Sequence, residues 1–219
     1  MSFSIEEIVE NIFINEERGT LSKISKYIKL LFKWHQTNNI VSSSNIDYVI
    51  KREIYDSYQF TKLLSGNSFI DIGSGGGIPG IIIALLKPNV TVNLIDRKTT
   101  FINFLLLAKA ELKLKNVNVV QDDIFRKGIT FDAETVVMKN FSNKKISKMK
   151  YEEKFSFMMN IIKSKGTVSK AYMLTGSPVL ELSKECVSKF LLSTSEISSP
   201  FFSTSRYVVE VRFEDTVNS

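Results

Sequence analysis

Three carboxylates and a run of glycines are the residues here whose types and spacing could do chemistry. Asp71 lies in the apolar run Phe69-Ile70-Asp71-Ile72, and the chain continues Gly73-Ser74-Gly75-Gly76-Gly77-Ile78-Pro79-Gly80, with five glycines in eight positions. Such a turn lets a ligand approach the backbone closely. Nucleoside triphosphates, dinucleotides and S-adenosylmethionine are all held at glycine-rich turns between a strand and a helix. A triphosphate cradle ends in Gly-Lys-Ser/Thr, so that lysine meets phosphate and the hydroxyl meets magnesium. Here Gly80 is followed by three isoleucines, which removes that class. Gly75, Gly77 and Gly80 satisfy the dinucleotide pattern G-x-G-x-x-G, with Asp96 as the later acid. For S-adenosylmethionine the arrangement is an apolar strand, an acid and then G-x-G-x-G, which Phe69 to Gly77 supply. The ammonium and sulfonium of that cofactor call for a carboxylate, and Asp71, two residues before the first glycine, answers the need. Asp96, ending the next strand, would accept hydrogen bonds from both ribose hydroxyls. Just past a third strand, Asp122, Asp123, Ile124 and Phe125 would read the adenine edge and cover its face. The competing structural roles are a turn cap for Asp71 and a helix cap for Asp96.

The elements that must position these groups follow from hydrophobic period. Residues 4 to 64 read as helical: Leu21, Ile24, Ile28, Leu31 and Trp34 recur at helical spacing, with Lys23, Lys26, Lys29 and Lys33 largely opposite. From Ser68 the pattern changes to short apolar runs alternating with helices. Strands are predicted at 69–72, 90–95, 117–121 and 135–138, with helices starting at Pro79 and passing through Phe101, Phe104, Leu105, Ala108 and Leu112. Strands interleaved with helices imply a parallel sheet with right-handed crossovers. Strands are also predicted at 167–174 and 206–213, and they fit an antiparallel edge added to that sheet. A late helix is predicted over 179–192. The expected organisation is an N-terminal helical extension, 1–64, followed by an α/β catalytic domain, 65–219.

Composition narrows the class. With 43% hydrophobic residues the 219-residue chain can bury a large core, which argues against disorder. No apolar run reaches the roughly 18 to 20 residues that span a bilayer, and the start of the chain is acidic where a signal peptide is basic. A soluble cytoplasmic protein without a membrane partner is expected. One cysteine, Cys186, and one histidine, His35, argue against a disulfide and a histidine-cluster metal site. No metal is expected. The formal charge of +6 is unevenly spread: the first 17 residues hold five glutamates, whereas Lys139 to Lys150 hold five lysines and no acid. That lysine run is either a solvated face or a phosphate-binding surface.

Taken together, the chain resembles the bacterial glucose-inhibited division protein B family, the small-subunit ribosomal RNA guanine-N7 methyltransferases. The resemblance runs from about residue 20 to the end. It is carried by "LLFKWHQTNNIV" (30–41), "REIYDS" (52–57), "FIDIGSGGGIPGIIIALLKP" (69–88), "ELKLKNVNVVQ" (111–121) and "SRYVVEVRF". Gly77-Ile78-Pro79-Gly80 is its most specific element. The resemblance implies a Rossmann-like class I methyltransferase fold, S-adenosylmethionine as cofactor, and 16S ribosomal RNA or the assembling small subunit as partner of a monomer. It places Gly73 and Ile78 against the cofactor, Ile124 and Phe125 beside its adenine, and Lys139 in the cofactor and substrate pocket, where the family has arginine. Other departures are Glu53 for histidine, Phe125 for an acid, Thr100 and Phe101 for a basic pair, although Arg97 and Lys98 lie close by, and Thr175 for lysine.

Missing residues limit the chemistry. Methylation of an exocyclic amine uses Asn or Asp before Pro-Pro and an aromatic, but the four prolines are isolated. Methylation at a pyrimidine carbon needs a cysteine nucleophile, and Cys186 sits far from the glycines. Guanine N7 has an in-plane lone pair and no proton, so alignment with the sulfonium suffices. The expected assignment is therefore Asp71, Gly73, Gly75, Gly77, Ile78, Asp96, Asp123, Ile124, Phe125 and Lys139 on the cofactor, with Lys139 also at the reacting centre. RNA phosphates fall to Arg52, Arg97, Lys98, Lys144, Lys145 and Arg206. The alternatives are a ribose 2′-O methyltransferase, a dinucleotide oxidoreductase, and a cofactor-bound RNA-binding protein without catalysis.

Overall fold

A computed structural model describes residues 4–139 and 146–213 of the chain. In chain order the elements are α1 (Ile5–Ile12), α2 (Arg18–Asn38), α3 (Ile46–Tyr48), a π-helical stretch Val49–Ile54, and α4 (Tyr55–Leu63). Then come β1 (Ser68–Ile72), α5 (Gly80–Leu86), β2 (Thr91–Asp96), α6 (Thr99–Glu111), β3 (Val117–Gln121), β4 (Thr135–Lys139), α7 (Tyr151–Lys163) and β5 (Lys170–Thr175). A 3-10 turn (Ser177–Glu181), α8 (Lys184–Lys189), β6 (Ser193–Ser199) and β7 (Phe202–Arg212) complete them.

The strands form one sheet in the order β3-β2-β1-β4-β5-β7-β6. β1 to β5 are mutually parallel, and β7 lies antiparallel between β5 and β6. This is a doubly wound, Rossmann-like sheet with an antiparallel hairpin at its C-terminal edge, as the period-2 runs late in the chain imply. The order reverses beside β1, so the carboxyl ends of β1, β2 and β4 surround the crevice where open α/β sheets bind ligands.

Alternation along the strands feeds two cores, one on each face. Phe69, Leu94, Val137, Tyr172 and Val208 enter a cluster with residues of α1, α2, α4, α5 and α6. Ile70, Ile72, Val136, Met138, Val209 and Val211 enter another with residues of α7 and α8. The N-terminal helices thus share a core with the sheet. On α2, Ile24, Tyr27, Ile28, Leu31, Phe32 and His35 are buried at helical spacing. Two of its outward lysines find partners, Lys26 with Glu111 and Lys29 with Glu6.

Three segments differ from their sequence expectations. The predicted late helix is broken: Ser183 N-caps the short α8 by accepting from the Cys186 N–H, separating it from the 3-10 turn. β6 carries the sequence STSEISS with only Ile197 buried, so it has no apolar period to announce it. Its pairing is set instead by the hairpin with β7. Lastly, β5 starts at Lys170, three residues later than expected.

Candidate cofactor and substrate site

The glycine turn between β1 and α5 is tied down by its neighbours. The N–H groups of Gly73 and Ser74 both donate to the Ile95 carbonyl, at 2.9 and 3.0 Å, and the Gly77 N–H donates to the Ser74 carbonyl at 2.7 Å. The Ser74 hydroxyl donates to the Asp71 carbonyl at 2.8 Å. The glycines divide by what lies beside them. Cβ atoms added at Gly77 and Gly80 would meet Ile81 Cγ1 at 2.5 Å and Leu94 Cδ2 at 2.2 Å. One at Gly76 would meet Leu31 at 3.0 Å. These three are buried positions where backbone packs against side chains. Gly75, in the left-handed region at φ +53°, has open space where a Cβ would stand, with only the Gly73 carbonyl near, at 3.9 Å. Gly73 is exposed. The ligand-facing lip of the turn is therefore Gly73 to Gly75. Gly77, expected on the cofactor, instead seats the turn on Ile81 and Leu105.

Asp71 is also turned inward. It is 1% exposed, and its Oδ2 accepts from the Gly80 N–H at 3.0 Å. Burial pushes its carboxyl up to about 7, against the hydrogen bonds from Gly80 and Ser74; nearby Asp96 adds to the rise and Lys139 opposes it. Direct contact with a ligand ammonium, the sequence expectation, does not match this placement: Asp71 lies beneath the turn and contributes its charge from there. Asp96 does face the turn. Its Oδ2 accepts from Gly75 N–H at 3.0 Å and its Oδ1 from Lys98 N–H at 2.9 Å, leaving further lone pairs for hydroxyl donors. Asp123 stands past β3, 36% exposed, with Oδ1 accepting from the Phe125 N–H at 3.0 Å and Oδ2 4.0 Å from Arg97 Nη1. Phe125 stacks on Phe157 of α7 at 6.1 Å, whereas Ile124 is 3% exposed and belongs to the core beneath. Ile78 is half-buried.

A second group gathers at the carboxyl ends of β4 and β5. Lys139, last in β4, forms an ion pair with Glu53 of the π-helical stretch and donates to the Glu53 carbonyl at 3.3 Å. Asp56, 1% exposed, lies 3.6 Å from Arg52 Nε and 3.4 Å from Arg206 Nε, and its Oδ1 has no hydrogen-bond partner. Burial raises the Asp56 carboxyl, against the pull of Arg52, Lys139 and Arg206. Tyr207 pairs with Thr175, so Arg206 beside it stands at the carboxyl end of β5, with its side chain 23% exposed.

Arg52, expected on RNA phosphate, is corrected by this placement. Its side chain is 6% exposed, its guanidinium donates to the Thr204 carbonyl and hydroxyl at 2.9 and 3.1 Å, and it lies over the Phe202 ring. It ties the helix to the hairpin. Arg97 and Lys98 remain exposed beside Asp96. Lys144 and Lys145 lie outside the described residues. Thr175 shares a hydrogen bond with Tyr151 at 3.1 Å. Cys186 is buried, and His35 is hydrogen-bonded to Ser44 and the Val41 N–H. Among the described residues no acidic, histidine or cysteine cluster could hold a metal.

Sequence reasoning did not single out Tyr27, whose hydroxyl donates to the Gly76 carbonyl at 2.6 Å, or Asp56. A buried tyrosine on an apolar helix face reads as core, and Asp56 in an exposed-looking polar stretch gave no signal.

Residues 20–196, most of the chain, match the family described as GidB, rRNA small subunit methyltransferase G. The chain belongs to this family. Curated relatives named ribosomal RNA small subunit methyltransferase G include those of Ruthia magnifica, 31% identical over 59% of this chain and 64% of that protein, and Nitrosomonas europaea, 36% identical over 56% and 57%. Another, from Hydrogenovibrio crunogenus, is 41% identical over 45% and 46%. The chain thus matches less than two thirds of the length of these GidB relatives. Solved structures extend the likeness in fold. A human methyltransferase 10 domain containing protein superposes with TM-score 0.54 at 12% identity, covering 88% of this chain and 97% of that one. TrmK of M. capricolum, in complex with S-adenosyl-homocysteine, superposes with TM-score 0.51 at 15% identity, covering 71% and 66%. Among the described residues no helix is long and apolar enough to cross a membrane.

Proposed function

We propose that this GidB-family chain transfers the methyl group of S-adenosylmethionine to N7 of a guanine in small-subunit ribosomal RNA, acting as a cytoplasmic monomer on RNA or on the assembling subunit. The observation that carries the reading is the open lip at Gly75 with the Asp96 carboxylate beside it and the Asp71 carboxyl below. A ligand with a ribose diol and a cationic end fits that set, whereas no lysine stands in the turn to meet a pyrophosphate.

When bound, the cofactor supplies an electrophilic methyl on a sulfonium sulfur. Asp96 accepts from the ribose hydroxyls with the lone pairs that the turn leaves free. Phe125 and the backbone near Asp123 border the adenine. Asp71 contributes negative potential under the turn, and a bound cation would draw its carboxyl toward the ionised form. On the substrate side no general base is needed: the N7 lone pair forms the new bond to the methyl carbon as the carbon–sulfur pair departs to sulfur. Alignment is the chain's task, and Lys139, Arg97, Lys98 and Arg206 hold the RNA for it. The purine becomes cationic at N7, and Glu53, at the same edge as Lys139, is the carboxylate placed to stabilise it.

The test is incubation with labelled S-adenosylmethionine and small-subunit RNA, free or in subunit particles, followed by nucleoside mass spectrometry. Labelled 7-methylguanosine is the expected product. A 2′-O-methyl nucleoside, or no label, would overturn the reading.

A further inference from the structure

A turn with five glycines in eight positions loses more backbone freedom on ordering than any other composition would, so its geometry must be imposed from outside. Most of its tethers come from β1 and β2, the strands that flank it. One comes from 49 residues upstream. Tyr27, fully buried on α2, donates its hydroxyl to the Gly76 carbonyl at 2.6 Å. Its ring packs on Phe104 of α6 at 6.4 Å. The contact is close along its length, since a Cβ on Gly76 would stand 3.0 Å from Leu31 Cδ1 and 3.2 Å from the Ile40 carbonyl. The turn rests on the N-terminal helices.

We propose that Tyr27 is a positioning residue for the cofactor: by fixing the Gly76 carbonyl it sets the peptide plane that follows Gly75, and with it the lip that the ligand meets. The inference rests on the cofactor reading above. Gly75 N–H is already held by Asp96 on one side, so the Tyr27 hydroxyl fixes the other side of the same short segment. Burial raises the Tyr27 hydroxyl well above its usual range, with nearby Asp71 adding to the rise, so it stays a donor at any pH the protein meets. A phenylalanine at 27 would leave the packing and remove only this donor, with the buried Gly76 carbonyl then unpaired.

The experiment is calorimetric titration of S-adenosylhomocysteine into the wild-type chain, Tyr27→Phe and Phe13→Leu, with hydrogen exchange of the ligand-free proteins. Phe13 packs on Tyr55 and Tyr58, remote from the turn, and serves as a variant that loses stability alone. Tyr27→Phe is expected to bind roughly tenfold more weakly, with faster exchange confined to residues 73–77, while Phe13→Leu keeps wild-type affinity. Binding by Tyr27→Phe within twofold of wild type overturns the inference, as does equal weakening by Phe13→Leu. Should Tyr27→Phe not fold, Gly76→Ala tests the same contact from the turn, since its methyl would press on Leu31 and the Ile40 carbonyl. Wild-type affinity in that variant overturns the inference equally. Failure of the wild-type chain to bind would instead remove the cofactor reading, and the exchange of residues 73–77 would still report on Tyr27.

Discussion

The two halves of the carboxyl edge are built in opposite ways. At the ends of β1 and β2, the groups that touch one another are close in sequence: Asp71 with Gly80, Ser74 with Ile95, Gly75 with Asp96. At the ends of β4 and β5, the contacts join Glu53 to Lys139 and Asp56 to Arg206, 86 and 150 residues apart. A site assembled from one βαβ unit is a motif, and its parts fail together. A site assembled by the fold is a set of long-range charge pairs, in which each part is separately replaceable and affinity for one ligand is insulated from the other.

The largest break in the first half should come from Gly80→Ala. Its methyl would fall 2.2 Å from Leu94 Cδ2 and 2.6 Å from Asp71 Oδ2, so the strand, the carboxyl or the start of α5 must move. We expect about 3 kcal/mol or more of lost stability by urea unfolding, together with loss of cofactor binding. Asp96→Ala follows. It removes both the ribose acceptor and the partner of Gly75, and calorimetry should find no measurable binding while the fold survives. Undiminished affinity would refute the ribose assignment.

The second half is tested by Lys139→Ala. The variant leaves Glu53, itself only 16% exposed, without its partner, at a cost of about 3 kcal/mol if the site cannot admit water. Cofactor affinity should stay within about twofold of wild type, whereas methyl transfer to RNA should fall by about a hundredfold or more. A parallel loss of cofactor affinity would show that the two halves are one site.

Legibility in the sequence follows the same division. The parallel sheet, its antiparallel addition and the glycine turn were readable because local period and spacing encode them. What each turn residue faces was not: Asp71 and Gly77 belong by pattern to the ligand, yet fold geometry turns them toward Gly80 and Ile81. A pattern records which residues a turn needs, not which side of it they serve. In the charged half, Arg52 and Arg206 are equal as sequence, and only burial separates them. β6 escaped notice because a strand paired on one side, with one buried residue, needs no apolar alternation. The partner of Lys139 was equally invisible, since nothing local ties position 53 to position 139.

Asp71 offers a pH test of the first half. Its carboxyl titrates at about 7 in the folded chain, against an ordinary value of 3.8, because burial outweighs its hydrogen bonds. Between these values the folded state holds a proton that the unfolded state has released, so stability of the ligand-free protein falls as pH rises from about 4 to about 7 and levels off above. The contribution is at most about 4 kcal/mol. In Asp71→Asn this component of the slope should vanish, with the amide oxygen still accepting from Gly80. An unchanged stability–pH profile would place the carboxyl in the ordinary range.

The smallest effect compares the two arginines that share Asp56. Arg206 is anchored at Nε, and its Nη1 lies 3.6 Å from where a Cβ on Gly176 would stand, just past the end of β5. Its outer fork is therefore presented at the edge where substrate arrives. Arg52 has spent its donors on Thr204 and packs on Phe202. Neutralising either removes one formal charge, so a purely global electrostatic effect would weaken RNA binding equally. If placement decides, Arg206→Gln should lower the logarithmic salt slope of RNA binding by about 0.7 to 0.9, the value of one released counterion, with little change in stability. Arg52→Gln should leave the slope alone and lower the unfolding midpoint, because it strips a buried carboxylate of a cation and the hairpin of two hydrogen bonds. Equal slopes for the two variants would mean that Arg206 feels no phosphate, and that the charged half serves to brace the hairpin against the helices.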